Sequence, residues 1–171
     1  DFRTIDFDLI PEGLLERCRI DLATGTVGTE RLSERCCEFA MVNPRREGLS
    51  SRYGWMAVAE RETGNDPLQA IKKLDLVSGE RRVWSAAPRG FVSEPVMVPR
   101  PAPSVGPEPT KPEPAKPEPA EDDGWVLTLI WNGARCASDL VILDAASMEE
   151  LAVVELPLAI PYGLHGSFVE G

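Results

Sequence analysis

The chain has 171 residues, 43% hydrophobic and 27% charged, enough for one compact domain with a core and too few for two comfortable ones. Its 18 Lys and Arg stand against 28 Asp and Glu, a net charge of -10, which argues against a nucleic-acid binder and against attraction to anionic lipid. The longest apolar run, WVLTLIW at residues 125–131, falls far short of the roughly 18–20 residues that a membrane-spanning helix needs.

The opening DFRTIDFDLIPEG has neither the basic start nor the apolar stretch of a signal peptide, and with Asp1 in first place it reads as a piece starting mid-protein. Residues 19–32, RIDLATGTVGTERL, predict strand, turn and strand: alternating apolar residues lead into Asp21, and a Thr-Gly turn precedes a second β-rich run. Cys18, Cys36, Cys37 and Cys136 contain no CxxC pair and lack the density of a secreted disulfide scaffold. Reduced thiols and a cytoplasmic location are therefore expected. The adjacent Cys36 and Cys37 are read as two thiols on opposite faces of a strand, with no chemistry assigned. CCEFAMVNPR at 36–45 predicts an innermost strand, and SRYGWMAVAE at 51–60 a buried second strand. KLDLVSGERRVW at 73–84 repeats the hairpin pattern with Asp75 and a Ser-Gly turn. FVSEPVMVPR at 91–100 repeats the innermost strand, with a glutamate near its start and Pro-Arg at its end.

The stretch 101–123, PAPSVGPEPTKPEPAKPEPAEDD, holds eight of the 16 prolines, KPEPA twice, and six acidic against two basic residues. Having no large apolar side chain, it cannot form a core, and proline this dense favours an extended, solvated, disordered loop. A PxxP ligand for an SH3-like partner is the alternative, but acidic flanks and generic spacing favour a plain spacer. GWVLTLIWN at 124–132 then gives another second strand, and VILDAASMEELAVVEL at 141–156 a third hairpin that keeps Asp144 but loses the Gly. A turn of helix is expected near 147–151. PYGLHGSFVEG at 161–171 closes the series as a third innermost strand.

The marker aspartates are 54 and 69 residues apart, and removing about eighteen residues of insert brings the second spacing close to the first, a period of about 50 with four strands, the size of a propeller blade. The expected fold is all-β, a partial β-propeller of about two complete blades plus flanks of a third, spanning 1–171 and interrupted by 101–123. Propellers close with roughly 4–8 blades, so the missing N-terminal blades would belong to a chain about three times longer. Glu38, Glu94 and His165 fall 17, 19 and 21 residues beyond the marker aspartates. Equivalent positions on innermost strands converge on the propeller axis, and carboxylates aimed there need a cation or donor to offset desolvation. A lone histidine in a glycine-flanked turn is weak grounds for a metal site; its equivalence to two glutamates is what gives it weight. A histidine that binds metal through one ring nitrogen typically donates its other N–H to a carboxylate, a role that suits Glu38 and Glu94.

The runs CEFAMVNPR, RYGW, KLDLVSGERRVW, SEPVMVPR, EDDGWVLTLIWN, SDLVILDA and PYGLHGSFV, in this order, resemble the C-terminal third of the carotenoid oxygenases. That family includes carotenoid cleavage dioxygenases, apocarotenoid oxygenases, lignostilbene dioxygenases and the retinal pigment epithelium isomerase. The resemblance implies a seven-bladed propeller with one Fe(II) on its axis held by four histidines, three of which donate to glutamates. Its EFxxxNPR-like motif matches Glu38 as an orienting acid, its EPVxVPR-like motif matches Glu94 in the same role, and its GxHG-like motif matches His165 as an iron ligand. Three histidines and one glutamate of the family have no counterpart here. Ala40 and Met41 stand in place of the commoner Pro-Arg, and Leu164 where many members have Phe, departures that bear on the shape of the pocket. Phe39 and Phe168 are candidates to line an apolar substrate tunnel or to pack between blades. The implied reaction is cleavage of a conjugated C=C bond of a carotenoid or apocarotenoid by dioxygen to two carbonyl products, with this chain alone inactive. Stilbene-type cleavage by the same chemistry is the alternative, and a non-catalytic propeller that binds a protein partner is another. Membrane contact, if the complete protein makes any, is peripheral and uses parts outside this chain.

Overall fold

The computed structural model describes residues 6–101, 119–161, 163 and 165–169. A hairpin comes first, β1 (Leu15–Asp21) against β2 (Thr26–Ser33). A four-stranded antiparallel sheet follows in sequential order, made of β3 (Cys37–Met41), β4 (Tyr53–Ala59), β5 (Leu68–Asp75) and β6 (Arg81–Ser85). In the next sheet β7 (Gly90–Val92) and β8 (Val96–Pro99) lie end to end along β9 (Gly124–Asn132), which pairs with β10 (Ala137–Asp144), and β10 with β11 (Glu150–Glu155). The chain is thus the outer hairpin of one propeller blade followed by two whole blades. Helix is confined, among the described residues, to single 3-10 turns at Phe7–Leu9 and Pro44–Arg46. The helical turn expected near 147–151 is absent: Asp144 caps a tight loop there and β11 begins at Glu150.

One device makes all three outer hairpins. The Oδ1 atoms of Asp21, Asp75 and Asp144 each accept from the backbone N–H groups two and three residues on, at 2.8–3.1 Å. Such Asx turns satisfy amides that the bend would otherwise orphan. The Thr24 and Ala23 amides lower the Asp21 carboxyl below its ordinary range. At Asp75 the Arg52 guanidinium does so first, and the Val77 and Ser78 amides add to it against burial. At Asp144 burial pushes the other way, and the Ser147 amide and hydroxyl with the Ala146 amide outweigh it. Four residues beyond each aspartate the N–H returns to the aspartate's carbonyl at 2.8 Å, and that residue has positive φ: 70° at Gly25, 78° at Gly79 and 64° at Met148. The third hairpin therefore keeps the geometry without the glycine. Met148 is buried in the core between the blades, and that burial offsets the left-handed backbone.

The two faces of β4 explain its unbroken apolar sequence. Trp55 and Ala57 point into a cluster shared with Val126, Ile130, Val141 and Leu143 of the next blade, while Met56 and Val58 point the other way, toward Leu15 and Leu32 of the hairpin. A strand covered on both faces needs no polar alternation. Polar ties cross the same inter-blade seam: Trp55 Nε1 donates to Ala145 O at 3.2 Å, and Trp84 Nε1 to Glu150 Oε2 at 3.1 Å. On β9, by contrast, Val126 and Ile130 are fully buried, while Trp125, Leu127, Leu129 and Trp131 on the opposite face are only half-buried. Its sequence reads as covered on both sides, and among the described residues one face is covered fully and the other in part.

Residues 102–118, the first copy of KPEPA and most of the second, lie outside the described residues, and with them the expectation of an extended loop. The residues that flank the stretch are fixed. Pro99 pairs with Gly124, Arg100 N donates to Asp123 O at 3.0 Å and Arg100 Nε to Asp123 Oδ1 at 2.8 Å. Glu121 Oε1 accepts from the amides of Arg52 and Tyr53 at 2.7 and 2.9 Å, and Asp122 pairs with Lys73 Nζ at 2.5 Å. Residues 121–123 are therefore anchored to the blades, although their acidity reads in sequence as part of the solvated loop. Because β8 and β9 already meet as a hairpin, replacing residues 101–120 by a four-residue Gly-rich turn is expected not to lower the melting temperature. Loop-closure entropy costs only about 0.6 kcal/mol per doubling of length, so shortening acts in the stabilising direction. A fall of several degrees in a thermal melt would show that the stretch packs on the blades.

Candidate metal centre

Both innermost strands carry an extra residue where their glutamate sits. Glu38 pairs with Ala57 and Met41 with Trp55, so Phe39 and Ala40 together face Met56 alone. Phe39 at the head of this bulge has φ 57°, a left-handed backbone that bulky residues rarely adopt. In the next blade Val92 pairs with Ile130 and Val96 with Leu127, so three residues, Ser93, Glu94 and Pro95, face Thr128 and Leu129. Ser93 N donates to Leu129 O at 2.8 Å, and the Thr128 hydroxyl to Ser93 O at 3.0 Å, which fix the break. The strand expected over 91–100 is split there into β7 and β8. Bulges of this kind re-aim side chains toward the rim of a sheet.

The third expected innermost strand does not form among the described residues of that segment, 161, 163 and 165–169. A strand needs a partner for its ladder, and here the Gly166 amide is given instead to the Glu94 side chain, with N to Oε2 at 2.7 Å. The same carboxylate meets the His165 ring, Nδ1 to Oε1 at 3.4 Å. Upstream, the Ser138 amide donates to Leu158 O at 3.1 Å and its hydroxyl accepts from Ile160 N at 2.9 Å, which turns the chain back from β11 toward Glu94. The Phe39 ring stands edge-on to the imidazole, centroids 6.1 Å apart and planes at 88°.

Glu94, His165 and Phe39 are thus brought together. Glu38 is the neighbour of Phe39, but no hydrogen bond or ion pair joins it to Glu94 or His165; its carboxylate lies against Gly13, where a Cβ would come within 3.0 Å of Oε1. Among the described residues it has no hydrogen-bond partner. Phe39 packs against the inter-blade cluster, and with Glu38 it also lines a cleft of about 770 Å³ walled by Phe7, Ile10, Cys36 and Phe91. Phe168 lines a smaller cleft of about 270 Å³ with Glu94 and His165. Leu164 lies outside the described residues. Cys36 and Cys37 do face opposite sides, Cys36 toward Asn65 Oδ1 at 3.3 Å and Cys37 into the cluster with Met56 and Val58. Burial pushes both thiols up.

A His165 imidazole that donates from Nδ1 to this carboxylate would keep the lone pair on Nε2, the form that ligates a metal. Among the described residues Nε2 has no partner, and no group of three or more His, Cys, Asp or Glu is placed to hold an ion. The donor set fits one ligand of a site completed elsewhere. The Gly166 amide, the Phe39 ring and the cradle at Gly13 carry no signal in the sequence.

A family model described as retinal pigment epithelial membrane protein matches residues 3–170. Apocarotenoid-15,15'-oxygenase of Synechocystis is 44% identical over 172 residues, 99% of this chain and 32% of that protein. A probable carotenoid cleavage dioxygenase 4 of Arabidopsis thaliana is 35% identical over 95% of this chain and 26% of its own length. The crystal structure of cobalt-substituted Synechocystis apocarotenoid oxygenase superposes with a TM-score of 0.88 at 43% identity, covering 100% of this chain and 33% of that one. The chain therefore spans between about a quarter and a third of the length of these relatives. Fold, motif order and family match agree, and the chain belongs to the retinal pigment epithelial membrane protein family, that of the carotenoid oxygenases.

Proposed function

We propose that this chain works as one part of a longer iron-dependent dioxygenase that cleaves a conjugated C=C bond of a carotenoid or apocarotenoid. The observation that carries the proposal is the Glu94–His165 contact, Oε1 to Nδ1 at 3.4 Å beside the break between β7 and β8, which suits an imidazole that ligates a metal through Nε2. The half-covered apolar face of β9 supports further blades beside it, and the 44% identity to an apocarotenoid oxygenase supports the reaction class.

In this reading His165 Nε2 offers one ligand to Fe(II), and the remaining ligands come from parts outside the chain. Glu94 keeps the proton on Nδ1 and, through the Gly166 amide, fixes the backbone beside it. Glu38, with no partner among the described residues, would accept from a histidine of another blade. Phe39 and Phe168 give the two clefts apolar walls suited to a polyene. Bound iron supplies the activation of dioxygen. The balance is simple: one C=C and one O₂ become two carbonyl groups.

The test is to incubate the complete, Fe(II)-loaded protein with an apocarotenoid, a carotenoid and a stilbene under air and to identify the carbonyl products. Aldehydes or ketones from a polyene are the expected result. Cleavage of the stilbene alone would shift the reading to the chemistry named for a 27% identical relative, lignostilbene-alpha,beta-dioxygenase isozyme III of Sphingomonas paucimobilis. No carbonyl product from any of the three would overturn it.

A further inference from the structure

We propose that Phe39 is a positioning residue for the His165 imidazole, a role distinct from lining a substrate path and from packing between blades. The inference rests on the reading of His165 as a metal ligand. Within this chain the His165 side chain is 79% exposed, so a small number of contacts orient its ring here. Among the described residues, side chains hold it at two points: Glu94 Oε1, 3.4 Å from Nδ1, and the Phe39 ring, edge-on at 6.1 Å. A contact as long as 3.4 Å is at the limit of a hydrogen bond, and one contact at one nitrogen leaves rotation about the bond to the ring open. A second ring at 88° disfavours that rotation, because edge-to-face pairs at such separations are attractive.

The backbone shows that the placement of Phe39 is maintained against a cost. Its φ of 57° belongs to the left-handed region, disfavoured for a bulky aromatic residue. The bulge that contains it turns its side chain toward the next blade, where it reaches both the inter-blade cluster and His165. Strained, non-glycine positions of this kind persist where the surroundings over-determine them. Glu94 therefore sets which nitrogen carries the proton, and Phe39 sets the plane in which Nε2 presents its lone pair.

Three variants of the complete protein test this: Phe39→Leu, which keeps apolar volume without the ring edge, Phe39→Met as a second flexible replacement, and Phe39→Tyr, which restores the edge. Fe(II) affinity is read by competition with a chelator, beside the melting temperature and the KM for the polyene. For Phe39→Leu and Phe39→Met, Fe(II) binding is expected to weaken about three- to tenfold, the range that loss of one aromatic pair allows. Melting temperatures should stay within a few degrees, and Phe39→Tyr should return to within twofold of the parent. Unchanged iron affinity in Phe39→Leu and Phe39→Met, with a raised KM alone, would make Phe39 a lining residue and overturn the proposal. Equal weakening in Phe39→Tyr would overturn it too, since the edge would then not be the cause. His165→Ala run alongside separates the two readings: iron retained there removes the ligand role itself, whereas an iron-free His165→Ala beside a parent-like Phe39→Leu sinks only the positioning.

Discussion

His165→Ala in the complete protein is expected to abolish stoichiometric iron and polyene cleavage together, whereas Glu94→Gln weakens iron binding about 10- to 100-fold and leaves iron detectable, the usual cost of losing a partner behind a ligand. The difference follows from what each side chain does. Removing the imidazole removes Nε2, and among the described residues no group of three or more His, Cys, Asp or Glu is placed to hold an ion in its stead. Glu94→Gln keeps an acceptor of the same size for either the ring N–H or the Gly166 amide, which Glu94 now holds at 2.7 Å. It loses the charge and one of the two acceptor oxygens. The proton is then less firmly kept on Nδ1, and the ring is a poorer ligand rather than an absent one. Elemental analysis of the purified proteins, with chelator competition for Glu94→Gln, reads both effects. Equal iron in His165→Ala and its parent would refute the ligand role.

Trp55→Ala is expected to cost about 3–5 kcal/mol of stability, the range found when a large buried aromatic residue is truncated. Trp55 is 0% exposed and sits in the one cluster that joins the two blades. Its loss opens a cavity between sheets that pack face to face, and rigid strands on both sides limit collapse. It also strands the Ala145 carbonyl, now paired with Trp55 Nε1 at 3.2 Å, and an unpaired buried carbonyl adds to the loss. Against a total stability of about 5–15 kcal/mol for a domain, that is a large fraction. Trp55→Phe keeps most of the ring and forfeits mainly the N–H, so it should cost about 1–2 kcal/mol. Urea titration monitored by circular dichroism gives both values. A shift below about 1 kcal/mol for Trp55→Ala would mean that the blades are not held together by this cluster.

The repeat was readable because its marker is chemical. Asp21, Asp75 and Asp144 recur since each must cap the same turn, and a carboxylate accepting two backbone amides is hard to replace. The glycine that usually accompanies it proved dispensable at Met148, where a core contact offsets the backbone strain, and sequence alone does not show which side chain will find such a contact. The recurrence of Glu38 and Glu94 placed them at equivalent positions of the two innermost strands, but the bulges there were not legible in it. Nor did it reveal that Glu94 clasps residues 165 and 166 while Glu38 has no hydrogen-bond partner among the described residues, because equivalence in a repeat fixes a place on the sheet and not the partner that arrives there. The segment at 161–169 reads as a strand by its residues, yet its described residues join no ladder and its Gly166 amide bonds to a side chain instead. Glu121, Asp122 and Asp123 were hidden for the opposite reason: their neighbours are prolines of the insert, while their partners, Arg52, Lys73 and Arg100, lie 23 to 69 residues away in the chain.

The central claim is that His165, held by Glu94, is one ligand of an iron site completed by other blades. Crystals of the complete protein loaded with Fe(II), measured on both sides of the iron absorption edge, test it directly. An anomalous peak about 2.0–2.3 Å from His165 Nε2, the span of first-row metal–imidazole bonds within coordinate error, with Glu94 on Nδ1, is the predicted result. A peak ligated by other residues, with His165 Nε2 more than about 4 Å from it and so beyond any bonding distance, would contradict the account.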